Sequence, residues 1–222
     1  MKKQTFGNRL AIVGAAITLS IFTQGNTTAG TTIGFGSSVG ATNLISSDAA
    51  MPEGFLFQLG TFEGDFEPTS SNTDKWLLGW RPASDREGEP LEGNTAAYQT
   101  QELGGGFPPG FRANSFSSSV MLDHNEAPFD LGGQLYIWGY DQRATPGAAE
   151  WILITDPAWI WPDGSSNLPA TSYAVSSATV VMLGEIKGDG FEMKTAVVTV
   201  SDSSADFYEG WLAENFSAGG TR

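Results

Sequence analysis

The chain contains no cysteine, which excludes disulfide bonds, thiol catalysis and Cys-based metal sites, so its stability has to come from packing. It has one histidine, His124, and every Ser-His-Asp mechanism would have to run through that single imidazole. Basic residues are scarce as well: 11 Lys and Arg stand against 25 Asp and Glu, for a formal charge of −14. Nucleic acids and anionic membrane surfaces reward clustered Lys and Arg and are therefore poor partners. Cations and neutral or basic surfaces remain open, and the same acidity keeps an extracellular protein soluble. No stretch after the first residues approaches the roughly 20 apolar residues of a membrane-spanning helix. No repeat of fixed period is present, which argues against a solenoid or propeller.

What is present begins with a leader. Lys2, Lys3 and Arg9 precede the apolar run 10–22, and the small residues Thr27 and Ala29 offer a cleavage site before Gly30. This pattern predicts a signal peptide over residues 1–29, hence a secreted, extracellular protein that meets no membrane after cleavage.

Beyond it, short aromatic and β-branched runs alternate with Gly- and Pro-rich turns. Strands are expected at 31–35, at 54–62 where Phe55, Phe57 and Leu59 repeat with period two, at 111–122, 135–140, 150–155, 159–161, 178–186 and 191–200. Lys187-Gly-Asp-Gly190 reads as a hairpin turn between the last two. Asn72 or Thr73 could cap a short helix placing Trp76, Leu77 and Trp80 on one side, and residues 81–94 read as an exposed loop. Phe207, Tyr208, Trp211, Leu212 and Phe216 fall at helical spacing. The expected organisation is a leader at 1–29, an all-β domain at 30–200 and an amphipathic helix or linker at 201–222. The expected fold is an antiparallel β-sandwich, with a jelly roll as one version of it, carrying the short internal helix and the C-terminal one.

Three stretches carry a resemblance: Phe62-Glu-Gly-Asp-Phe-Glu-Pro-Thr69 followed by Trp76, then Gln134-Leu-Tyr-Ile-Trp-Gly-Tyr140, then Glu150-Trp-Ile-Leu-Ile-Thr155 with Trp159-Ile-Trp-Pro162. As an ordered set they resemble secreted proteins of environmental Gram-negative bacteria that often carry a PEP-CTERM sorting tail. The tail's Val-Pro-Glu-Pro-like motif, apolar helix and basic end are absent from these 222 residues. The resemblance implies an exported β-rich surface or matrix protein and brings no catalytic residue with it.

Candidate chemistry is thin. Gly36-Ser-Ser-Val-Gly40 matches a nucleophile-elbow pattern but lacks the strand-and-helix alternation that would give it meaning. His124 sits in Asp123-His-Asn-Glu126, read as a solvated loop with too few ligands for zinc. Glu150 and Asp156 flank the most regular aromatic strand and form the first carboxylate pair to consider for a polysaccharide-acting enzyme. No cofactor is expected. Were there one, it would be calcium on turns such as Asp163-Gly-Ser-Ser-Asn167, Gly188-Asp-Gly190 or 123–126. The best binding candidates are Trp138, Tyr140, Trp159 and Trp161, whose rings could stack on sugars. In 136–140, Tyr136, Trp138 and Tyr140 share one face and Ile137 takes the other. If the Ile face is core, the aromatics form an outward platform; if the aromatic face is core, they are packing, the reading favoured by the weight of aromatics in cores. The expected role is a non-catalytic structural or surface-interaction protein acting on extracellular polysaccharide or on matrix and surface proteins. The alternatives are a carbohydrate-binding module using those rings and a glycan-acting enzyme using paired carboxylates.

Overall fold

The computed structural model describes residues 29–37, 43–45, 55–102, 112–141, 149–186 and 192–199. The leader over 1–28, the turn at 187–190 and the helix expected at 207–216 lie outside them. Among the described residues, no helix is long and apolar enough to cross a membrane.

The described residues are mostly β-strand in antiparallel sheets, with one short α-helix among them. The largest sheet is built around β3 (Phe55–Phe62), β9 (Tyr136–Asp141) and β10 (Ala149–Thr155). Its flanks are β4 (Trp80–Pro82) and β5 (Thr95–Ala97), both on β3, and β12 (Val180–Leu183) and β15 (Ala196–Val198), both on β10. A second sheet sets β1 (Thr31–Gly36) between β8 (Ser117–Leu122) and β11 (Thr171–Ala174). Two small sheets join β6 (Gln99–Glu102) to β7 (Arg112–Ser115), and β2 (Leu44–Ile45) to β14 (Met193–Lys194) and β13 (Glu185–Ile186).

Both faces of the central strands are buried. Odd-numbered Phe55, Phe57, Leu59 and Ile137, with Ile152 and Ile154, meet Ile33, Phe35 and Val120 of the second sheet in one core. Phe57 stacks on Phe116 with ring centroids 3.8 Å apart and planes 1° from parallel. On the opposite face Trp138, Tyr140, Trp151 and Leu153 meet Phe62, Trp76, Leu77 and Trp80 in a second core. The alternation of a strand therefore sorts apolar residues between two interiors rather than between interior and solvent.

Several expectations need correction. The strands are not all antiparallel: β1 runs parallel to β11, and β2 parallel to β14. Residues 159–161 make only an isolated bridge, Gln134 with Ile160. The expected loop at 81–94 contains β4 and buried Ala83 and Asn94, because β3 recruits it: Ala83 N–H donates to Leu59 O and Leu59 N–H to Asn94 O, both at 2.9 Å. The helix is shorter than two α-turns, a 3-10 turn at Thr73–Lys75 running into Trp76–Gly79 (α1). Asn72 does not cap it, since its side-chain oxygen accepts the Trp76 indole N–H at 2.8 Å and the Thr69 N–H. Trp80 has left the helix for β4, and its indole donates to Gln58 Oε1 at 2.6 Å.

Close packing over β9 requires glycine at 139. A Cβ there would stand 2.5 Å from Phe57 Cε1 and 2.7 Å from Ile152 Cγ2, so the phenyl rings lie directly over backbone. Gly139→Ala is expected to overpack this face and lower unfolding stability by about 1–3 kcal/mol, read from denaturant midpoints at unchanged m-value.

Candidate functional site

The four aromatic candidates are core residues. Trp138, Tyr140 and Trp161 are 0% exposed and Trp159 is 3% exposed. They also fall on two sides of the large sheet, Trp138 and Tyr140 in one core and Trp159 and Trp161 in the other. Trp138 is enclosed edge-on by Trp76, Trp80 and Trp151 at centroid distances of 5.9, 5.3 and 4.9 Å. Trp161 packs on Phe129 at 4.9 Å, and Trp159 on Tyr173 at 5.7 Å. The choice between an Ile core face and an aromatic core face dissolves, since Ile137 is buried too. No sugar ring can reach these faces in this structure.

His124 is likewise buried, not solvated. Its Nε2 lies 2.9 Å from Ser84 O, and its Nδ1 accepts the Glu126 N–H at 3.2 Å. With a carbonyl on one nitrogen and an amide on the other, the ring carries its hydrogen on Nε2 and has neither nitrogen free for a metal or a substrate. Its burial depends on a contact 40 residues away in sequence, which its polar neighbours conceal.

Glu150 and Asp156 are not a pair. They stand at opposite ends of β10, roughly 20 Å apart along extended chain, beyond the separations of glycosidase carboxylates. Glu150 accepts the Thr195 hydroxyl at 2.6 Å; Asp156 accepts the Thr179 hydroxyl at 2.6 Å and the Ala158 N–H at 2.9 Å. These donors hold the Asp156 carboxyl below its ordinary range, the Thr179 hydroxyl first among them.

The turn at Asp163 follows the same logic. Its carboxylate accepts the Ser165 hydroxyl at 2.6 Å, the Ser166 hydroxyl at 2.5 Å and the Ser165 N–H at 3.0 Å, and these bonds lower its pKa, the Ser165 hydroxyl most. The oxygens that calcium would need are occupied by protein donors. Residues 188–190 lie outside the described residues, and among the described ones no three His, Asp or Glu side chains are grouped to hold a metal.

One feature that opens to solvent lies at the end of β3. Gly64, at φ +62°, turns the chain after Phe62, and the Phe66 N–H closes the turn on Glu63 O. The β3–β9 register pairs Gly60 with Tyr136, and the Thr61 hydroxyl donates to Gln134 O at 2.8 Å. Together they bring the turn at 63–67 against the loop at 127–134, leaving a groove of about 740 Å³. Half-buried Phe66 and Tyr136 form its apolar wall, both leaning on Phe62 at 5.2 and 5.4 Å. Asp65, Glu67 and Asp130 line it as exposed carboxylates. Burial raises the Tyr136 pKa, and the negative Glu67 beside it raises it further. The rim acid Glu63 is ion-paired with Arg81. A second cleft of about 660 Å³, on the other side of Ala127 and Pro128, holds Arg81, Arg86, Asp85 and Glu126 in mixed charge. The sequence does carry a trace of the acidic groove, the alternation of aromatic and acidic residues in Phe62-Glu-Gly-Asp-Phe-Glu67, but nothing local joins it to Asp130 and Tyr136.

No family model, curated protein or solved structure matches the chain.

Two outcomes follow from these placements. Trp161→Ala is expected to cost about 3–5 kcal/mol, measured by chemical denaturation; an unchanged midpoint would return Trp161 to the surface. Asp163→Asn should destabilise the protein at neutral pH. Because the folded carboxyl is depressed, its contribution is present above the unfolded value of 3.8 and fades as pH falls through the lower folded value. The gap in melting temperature between wild type and variant should therefore be constant from pH 7 to about 5 and close at lower pH.

Proposed function

We propose that this chain is an exported, non-catalytic interaction protein, a β-sandwich in which the two larger sheets face each other across a shared core and the acidic, aromatic groove at 63–67 and 127–136 is the contact surface. Export rests on the leader pattern over 1–29 and agrees with the resemblance to secreted matrix proteins. The sandwich reading is supported by the common core of β1, β3, β8, β9 and β10 side chains.

One observation carries the functional reading. The groove offers Asp65, Glu67 and Asp130 in the open beside two ring edges, whereas His124, Glu150 and Asp156 are engaged in hydrogen bonds that build the fold. Exposed carboxylates hold and orient a ligand, but a general acid needs a carboxyl kept protonated by its surroundings. A polysaccharide is the competing ligand class, since Tyr136 and Phe66 offer rings and the carboxylates can accept sugar hydroxyls.

The reading is checked by titrating isotope-labelled protein with neutral and acidic oligosaccharides and with acidic and basic peptides. At least one class should shift amide resonances of 63–67 and 130–136 and no others to comparable extent, and no glycan or ester substrate should turn over. Turnover abolished by Glu67→Gln, or ligand shifts confined to another surface, would overturn it.

A further inference from the structure

We infer that the groove docks an extended peptide segment bearing arginine, an inference that rests on the groove being the contact surface. The carboxylates of Asp65, Glu67 and Asp130 make no hydrogen bond or ion pair among the described residues, while the guanidinium of Arg81 is already held by Glu63. In a chain of formal charge −14 these acids attract a cation from a distance and would gain a partner on its arrival.

The acids are spread along the groove and are not gathered into a group that could hold a metal ion, and a hard metal would gain nothing from the rings of Phe66 and Tyr136. A planar guanidinium gains from both, stacking on an aromatic face while its N–H fork meets a carboxylate. The volume of about 740 Å³ exceeds one side chain and suits a segment of several residues.

The test uses the full chain with a blocked (Gly-Arg)₄ peptide, its citrulline counterpart of equal shape and no charge, and a neutral hexasaccharide. Calorimetry should show the arginine peptide binding, weakening steadily as salt rises from about 20 to about 200 mM, and the citrulline peptide binding at least about tenfold more weakly. Glu67→Gln with Asp130→Asn should lower affinity by about fivefold or more. Asp85→Asn with Glu92→Gln, outside the groove, should leave it unchanged. Wild-type affinity in the Glu67/Asp130 variant would overturn the inference. So would a hexasaccharide that moves the groove resonances where the peptide does not, an outcome that keeps the groove and changes the ligand. If neither ligand touches the groove, the proposed function falls as well.

Discussion

Trp138 stands where four indoles meet. Trp76 comes from the short helix, Trp80 from the edge of the sheet, Trp151 from the neighbouring strand, and each packs near-perpendicular to the Trp138 ring, at interplanar angles of 81 to 85°. Edge-to-face contact sets the positive rim of one ring against the negative face of the next and adds about 0.5–1.5 kcal/mol per pair to the area buried. The arrangement also fixes geometry. A helix of one turn cannot hold its own conformation in water, so α1 persists because Trp76 and Leu77 are buried in this core and Asn72 anchors the Trp76 indole.

That second core changes what the large sheet can be. A sheet with one wet face displays polar residues at every other position, but β3 buries even Gln58 and Thr61. Each such group needs a partner inside, and finds it: Gln58 accepts from Trp80, and Thr155 donates to Leu135 O at 2.5 Å. Gln134 ties this interior to the groove. Its side-chain amide lies 2.6 Å from Thr155 Oγ1 and 2.9 Å from the carbonyls of Asp156 and Trp159, while its own carbonyl receives the Thr61 hydroxyl. The loop that forms one wall of the groove is thus fastened to the core at Gln134, two residues before β9 begins.

The sequence made β3, β9 and β10 legible because period-two spacing and β-branched or aromatic runs depend on neighbours within a few residues. It could not show which face was inside, because Ile137 and Trp138 are both apolar and the answer is both. It left β4 to β6 and β11 unread, since segments of three or four residues become strands only through partners contributed from afar. The residue-type signal misled at His124, where flanking Asp123, Asn125 and Glu126 look solvated while Ser84 takes the ring indoors. At Trp159 and Trp161, carried as candidates for a platform, the structure agrees with the packing that the weight of aromatics in cores favoured.

The groove was missed for the same physical reason that it exists. Phe66 and Tyr136 lie 70 residues apart in the chain and meet because β3 and β9 pair in register, with both rings leaning on Phe62. Where strands end, the backbone ladder stops and the connecting turns stand clear of the sheet, so concave surface forms there without disturbing the cores. The rigid part of the molecule sets the distance between the two walls; the turns supply the charges. A protein with most of its tryptophan committed to packing can then still present aromatic surface, through the two rings at the sheet's margin that the cores leave half covered.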